Sequence, residues 1–140
     1  MGIAHRFFAP PEVADLATIA PGLQQERFFE YWTFKESYIK ARGMGLSIVL
    51  DQFSFHYPHT RGVRIAVQPE LDDASCWTFL QYRPNTKYFL AVCIERLGAE
   101  WPTVTLRKIV PMVAEEIVEV ELTRCSSQPG AEFDTWQSGE

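Results

Sequence analysis

The chain has 140 residues, a length typical of a single globular domain. Because 46% of the residues are hydrophobic and 22% are charged, a substantial core is expected and intrinsic disorder is excluded as the main state. The net charge of -5 argues against non-specific nucleic-acid binding, and no apolar run approaches the ~18 residues that a membrane-spanning helix needs. Three widely spaced cysteines and the lack of a signal-like N-terminus favour reduced thiols and a cytoplasmic protein.

Two helices are predicted in the first third of the chain. The first covers about residues 10–20, since two prolines and an acid open it and Pro21-Gly22 ends it. The second covers about residues 24–42, where aromatic residues recur at spacings of three and four. Gly43 follows its last residue, which is the usual place of a glycine after a helix.

Strands are predicted after the helices, because the hydrophobic pattern changes to a period of two. Helices followed by an antiparallel meander predict an α+β fold, with two helices packed on an antiparallel sheet. Residues 113–122 contain enough valine and isoleucine for either a helix or a strand, and the pattern does not decide between them. The predicted strands are residues 53–57, 63–67, 77–80, 89–94 and 104–110.

The composition changes near residue 110. Residues 1–110 are nearly neutral, whereas residues 111–140 hold seven acidic side chains and one base, Arg124. A polar stretch begins at Ser126. We therefore expect a folded domain over residues 1–110 and an acidic, partly disordered extension over residues 111–140.

The second predicted helix carries a candidate site. Trp32, Glu36 and Lys40 are four residues apart and share one face, with Glu36 and Lys40 in the order that favours an ion pair. The helix leads into Gly43 and Gly45, whose backbone permits close approach to a ligand. A carboxylate for a divalent cation, a lysine for a phosphate and a glycine loop suit a phosphate-containing substrate. The competing interpretation is an ordinary surface ion pair.

Residues 32–46, WTFKESYIKARGMGL, resemble the W-x-x-K-E-[SA]-x-x-K-x-x-G-x-G-L signature of the 4'-phosphopantetheinyl transferases. The flanking segments resemble the Sfp-type branch of that family. Arg6-Phe7-Phe8 ahead of Glu12 resembles its R-F-F…E segment, residues 50–55 its L-D-x-F-S-F strand, and residues 90–93 its L-A-V-C strand. The similarity extends over about residues 3–95 in the family's order.

The resemblance implies an enzyme that moves the 4'-phosphopantetheine arm of coenzyme A onto a serine of an acyl or peptidyl carrier protein, with Mg²⁺. By its position in the motif, Glu36 is implied to be a magnesium ligand. Glu36 and Lys40 are both implied to be catalytic residues. Lys35 and Lys40 are implied to contact coenzyme A, as are Gly43 and Gly45 in the following loop.

One part of the family pattern is missing from this sequence. Sfp-type enzymes consist of two similar halves, and the first half ends in G-[IV]-D-x-E, which supplies further magnesium ligands. This sequence contains no D-x-E. The resemblance therefore implies that residues 1–110 are the C-terminal half of such a pseudo-dimer, with an incomplete magnesium site. We expect this half to pair with a separate first half, or with itself, through the face that carries Trp32 and the first strands.

Two other hypotheses compete with the transferase. A non-catalytic half-domain that binds a carrier protein or mediates oligomerisation is favoured by the missing acidic motif. A hot-dog-type thioesterase ranks last, because that fold places its central helix after the first strand, whereas both predicted helices here precede every strand.

Overall fold

The computed structural model describes residues 4–43, 49–96 and 103–126. Within these ranges the structure has two main helices and antiparallel sheets, which confirms the predicted α+β class. None of its helices there combines the length and the apolar character needed to cross a bilayer. The elements in chain order are α1 (Ala4–Phe7), α2 (Pro10–Thr18), α3 (Gln24–Arg42), β1 (Phe53–His56), β2 (Arg64–Val67), β3 (Trp77–Asn85), β4 (Tyr88–Glu95), β5 (Arg107–Val110), β6 (Ala114–Ile117) and β7 (Glu121–Cys125).

The boundaries of the two main helices follow from local sequence. Pro10 opens α2, and Glu12 in its first turn accepts a hydrogen bond from the Ala9 amide at 2.9 Å. Gly43 ends α3 with a left-handed φ of 67°, and its N–H donates to the carbonyls of Ile39 and Lys40, each at 3.1 Å. The bounds predicted for the second helix, residues 24–42, are therefore confirmed by α3.

The strands form three antiparallel sheets. β1 pairs with β2, β3 lies between β4 and β7, and β5 pairs with β6. Residues 78–81 of β3 are all buried, so the predicted alternation of buried and exposed residues is wrong there. It is also wrong in β1, where Ser54 is buried together with Phe53 and Phe55.

An aromatic core joins α3 to the strands. The Phe34 ring stacks on Phe55 with centroids 5.3 Å apart, and its plane is nearly perpendicular to that of Phe79 at 6.1 Å. Tyr38 packs on Phe53 at 4.9 Å between centroids. Edge-to-face and offset ring pairs of this kind add stability beyond the area that they bury. The core therefore positions α3, which carries the motif.

The segment for which the sequence left helix and strand open is a β-structure. Residues 113–122 contain β6 and the first residues of β7. β7 pairs with β3, and its Arg124 and Cys125 are buried. The sheet thus joins residues from both sides of residue 110, and the division of the chain there stays a prediction. The tail from residue 127 onward lies outside the described residues.

Candidate functional site

The motif helix α3 presents two different faces. Tyr31, Phe34, Lys35 and Tyr38 are buried, because their spacings of three and four place them on one side of the helix. Glu36 and Lys40 lie outside this buried stripe. The motif residues are therefore divided between the interior and the surface.

Glu36 and Lys40 form the exposed part of the motif. The Lys40 Nζ lies 3.8 Å from the Glu36 carboxylate, while 78% of the Lys40 side chain and 42% of the Glu36 side chain are exposed. An ion pair with this exposure contributes little to stability. Both groups are thus at least partly exposed to solvent, in the second half of α3.

Trp32 shares this face of α3 but packs against aromatic neighbours. Its ring is half-buried, in an edge-to-face contact with Phe7 at 5.7 Å and stacked on Phe28 at 6.4 Å between centroids. The contact with Phe7 joins α1 to α3. The tryptophan therefore supports the helix from which Glu36 and Lys40 extend.

Lys35 is the lysine of the motif that lies inside the fold. The motif implies a contact with coenzyme A, but the Lys35 side chain is fully buried, and its Nζ lies 2.8 Å from the Glu12 carboxylate. The same ammonium donates to the carbonyls of Leu50, at 2.5 Å, and Phe53, at 2.7 Å. Since these three acceptors hold all of its N–H groups inside the fold, the structure does not bring Lys35 to the surface that Glu36 and Lys40 share.

The ion pair between Glu12 and Lys35 is the contact that sequence reasoning missed. Besides the ion pair, the Glu12 carboxylate accepts hydrogen bonds from the amides of Ala9, at 2.9 Å, and Phe55, at 2.8 Å. Burial raises the pKa of Glu12 and lowers that of Lys35, because it penalises the charged form of each. A signal was present: Lys35 lies four residues after Tyr31 and three before Tyr38, on the apolar face of the helix.

The donor set around Glu36 does not fit a complete magnesium site. Among the described residues, no group of three or more His, Cys, Asp and Glu side chains is arranged to hold a metal ion. Mg²⁺ requires octahedral oxygen coordination, and Glu36 brings a single carboxylate. The second motif glycine, Gly45, falls within residues 44–48, outside the described ranges. In the described part of the chain, the motif therefore supplies a lysine and one carboxylate.

A polar cluster holds the C-terminal end of α3. The Asp72 carboxylate accepts hydrogen bonds from the Tyr38 hydroxyl at 2.5 Å and the Trp77 indole N–H at 2.7 Å, and lies 3.1 Å from the Arg42 guanidinium. Burial and the bond to Asp72 raise the pKa of Tyr38 to about 12. The last turn of α3, which carries Lys40 and ends at Gly43, is thereby tied to the start of β3.

The comparisons with known proteins agree with this motif. The sequence model of the 4'-phosphopantetheinyl transferase superfamily matches residues 1–93, and the chain belongs to that superfamily. A 4'-phosphopantetheinyl transferase of Bacillus subtilis is 41% identical over 92 residues, which are 65% of this chain and 39% of that protein. The 4'-phosphopantetheinyl transferase Sfp of Bacillus subtilis (strain 168) is 37% identical over 65% of this chain and 39% of that protein. The 4'-phosphopantetheinyl transferase HetI of Nostoc is 31% identical over 69% of this chain and 38% of that protein.

These matches confirm the resemblance to the Sfp-type branch and leave the thioesterase hypothesis without support. The chain spans about two fifths of the length of the curated relatives that it matches. No solved structure is significantly similar to it.

Proposed function

We propose that this chain is the C-terminal half of a 4'-phosphopantetheinyl transferase and that it acts with a second half that completes the site. The observation that carries the proposal is the placement of Glu36 and Lys40, side by side and exposed at the end of α3, within the segment that the family matches. An exposed pair of this kind can contact a substrate that is bound by the second half of the enzyme.

The proposed reaction is transfer of the phosphopantetheine arm of coenzyme A to a carrier-protein serine. The serine oxygen attacks the β-phosphate, and the bond to the leaving phosphate breaks to release 3',5'-ADP. Lys40 supplies a mobile positive charge for the coenzyme phosphates, and the Glu36 carboxylate accepts the serine proton, directly or through water. Gly43 and Gly45 contact the coenzyme in this proposal, as their positions in the family motif imply.

Magnesium is the cofactor that the family implies, with Glu36 as the ligand in this chain. Because one carboxylate is too few for Mg²⁺, we propose that the other protein ligands come from a first half that carries the acidic G-[IV]-D-x-E motif. The chain by itself then has weak activity or none. A cytoplasmic location belongs to the same proposal, supported by the free thiols of Cys76, Cys93 and Cys125.

The alternative is a half-domain that binds a carrier protein or an oligomeric partner without turnover. The absence of D-x-E from the sequence favours it, because a chain without these ligands keeps the fold without the means to stabilise the charge that develops on the phosphates.

Transfer of a fluorescent coenzyme A arm to an apo carrier protein, with Mg²⁺, tests the enzymatic proposal. We expect no signal from the chain alone and a signal after the first half of a full-length relative is added. Glu36→Ala should lower the complemented rate by about 100-fold or more, as expected when transition-state charge stabilisation is lost. Glu26→Ala, an exposed acid in the first turn of the same helix, is the matched control and should leave the rate unchanged.

A complemented sample that is folded by circular dichroism but transfers nothing would contradict the enzymatic proposal. Binding of the apo carrier protein by that inactive sample, measured by calorimetry, would then support the binding module.

A further inference from the structure

The hairpin of β5 and β6 exposes apolar side chains that a soluble surface seldom leaves uncovered. All eight residues of its two strands are exposed, including Ile109 at 63% and Ile117 at 70%. Met112 and Val113, in the turn between the strands, are also exposed. A two-stranded hairpin is only marginally stable in water, so this one gains from a surface that packs against it.

The turn of the hairpin adds a second unusual feature. The Val113 N–H donates to the Val110 carbonyl at 2.9 Å, which closes a turn with Pro111 and Met112 at its two central positions. Met112 has a left-handed φ of 62°, in the position that glycine usually occupies in a turn with proline before it. A fully exposed methionine is therefore kept where the backbone disfavours it, which points to a role for the apolar tip.

The register divides the hairpin into two faces. Arg107 pairs with Ile117 and Ile109 with Glu115, so these four side chains share one face, which we call the isoleucine face. The opposite face carries Lys108, Val110, Ala114 and Glu116. On the isoleucine face the four residues form a square, with Arg107 and Glu115 at one pair of diagonal corners. The Arg107 guanidinium reaches the Glu115 carboxylate along that diagonal, and the two isoleucines occupy the other.

We infer that the isoleucine face is a homodimer interface, in which the hairpins of two copies of this chain pack face to face. A two-fold axis along the Ile109–Ile117 diagonal places each isoleucine on its own counterpart. The same rotation exchanges the other two corners, so that each Arg107 faces the partner's Glu115. An axis along the Arg107–Glu115 diagonal would place like charges together, and their repulsion disfavours it. An axis along or across the strands would set each charged side chain against an isoleucine, with no opposite charge facing it.

The charges favour a second copy over other occupants. The isoleucine face has one positive and one negative side chain, so it is neutral and complementary to itself. A strongly acidic or basic partner would leave one of these charges against a like charge. On the other face suggested for self-association, which carries Trp32 and the first strands, Phe53 and Phe55 of β1 lie in the core.

This inference does not depend on the transferase activity. Residues 107–117 lie outside the segment that the family matches, and none of the motif residues is among them. Failure of the dimer would leave the proposed function intact, and failure of the transfer assay would leave the dimer intact.

Analytical ultracentrifugation of the full chain and two charge-reversal variants, each first checked for folding by circular dichroism, tests the interface. The wild type should show a monomer–dimer equilibrium at concentrations up to about 500 µM, since an interface of this small size gives weak association. Arg107→Glu and Glu115→Arg should each weaken the dimer by at least about tenfold, because each sets like charges against each other across the two-fold axis.

An equal mixture of the two variants distinguishes an intermolecular contact from an intramolecular one. In the mixed dimer, opposite charges face each other again at both corners, so dimerisation should return. A mixture that stays monomeric would overturn the inference, as would a wild type that stays monomeric or associates only with a first half.

The matched control is Lys108→Glu, which makes the same charge change on the neighbouring residue of the opposite face. It should leave the wild-type equilibrium unchanged, and a loss of the dimer in this variant would also contradict the isoleucine face.

Discussion

Two lysines of one motif have opposite environments because of their positions on one helix. Lys35 lies on the buried side of α3 and pairs with Glu12, whereas Lys40 lies on the exposed side and pairs with Glu36. In the interior, a charge is tolerated only when it is paired and its hydrogen bonds are satisfied, as those of Lys35 are. The first lysine is therefore held inside the fold, and the second is exposed on its surface.

Replacement of the buried lysine should destabilise the fold. Lys35→Met leaves the Glu12 carboxylate buried without its counter-charge, so we expect the free energy of unfolding to fall by about 3–5 kcal/mol. Urea denaturation followed by tryptophan fluorescence measures this change.

The matched control is Lys40→Met, which removes the exposed lysine and should change stability by less than about 0.5 kcal/mol. The double variant Glu12→Gln/Lys35→Met should recover part of the loss, because neither buried charge then remains. Equal effects of the two lysine substitutions would contradict the structural role of Lys35.

At the scale of the element, Asp72 decides how the last turn of α3 is held. It accepts hydrogen bonds from Tyr38 in α3 and from Trp77 at the start of β3. Although burial raises the pKa of Asp72, these hydrogen bonds outweigh it and hold the pKa below its ordinary value of 3.8. The carboxylate is thus more stable in the folded chain than in the unfolded chain.

The sign of the resulting pH dependence follows from linkage. A carboxyl group whose pKa is lowered by folding stabilises the fold above its unfolded pKa, and that contribution is lost as the pH falls through the folded pKa. Asp72→Asn should cost about 1–3 kcal/mol at pH 7, since it disturbs buried hydrogen bonds. It should also remove part of the loss of stability that the wild type shows below about pH 4.

Urea denaturation at several pH values between neutrality and about pH 3 measures both effects. Glu70→Gln, a neighbouring exposed acid, is the control and should match the wild type. If Asp72→Asn keeps the full acid sensitivity of the wild type, the Asp72 cluster does not hold the end of α3.

At the scale of the whole molecule, β7 joins the C-terminal part of the chain to the core. The Arg124 Nε donates to the Glu30 carboxylate of α3 at 2.6 Å, and its Nη1 donates to the Gly62 carbonyl at 3.0 Å. The same guanidinium lies 3.7 Å from the centroid of the Tyr57 ring. Together with the pairing of β7 and β3, these contacts connect residues far beyond the family-matched segment to the motif helix.

Removal of β7 should therefore be costly. A chain that ends at Val110 should lose at least about 3 kcal/mol of unfolding free energy relative to a chain that ends at Ser126, because Glu30 then loses its buried partner and the edge of β3 is uncovered. Differential scanning calorimetry of the two truncations measures the difference.

Arg124→Met in the full chain removes only the ion pair and its hydrogen bonds, so its effect should be smaller than that of the truncation. Equal stability of the two truncated chains would show that residues 111–126 are an independent extension, as the composition alone suggests.

The features that could be predicted from the sequence depend on interactions between residues that are close together in the chain. The proline-rich start of α2, the end of α3 at Gly43 and the α+β class all depend on side-chain spacing and backbone preference within a few neighbouring residues. The transferase motif is local in the same sense, because its residues lie on one helix and in the loop that follows. Such features are visible before any tertiary contact is known.

Tertiary contacts decided which side chains the fold encloses and which it leaves exposed. Lys35 is buried because Glu12, Leu50 and Phe53 converge on it from other elements. Arg124 is buried because it meets Glu30, 94 residues away in the chain. The free energy of such contacts depends on desolvation and geometry between distant segments, which spacing along the sequence does not encode. For the same reason, only the packed structure separates β7, whose Arg124 and Cys125 are buried, from the exposed hairpin that precedes it.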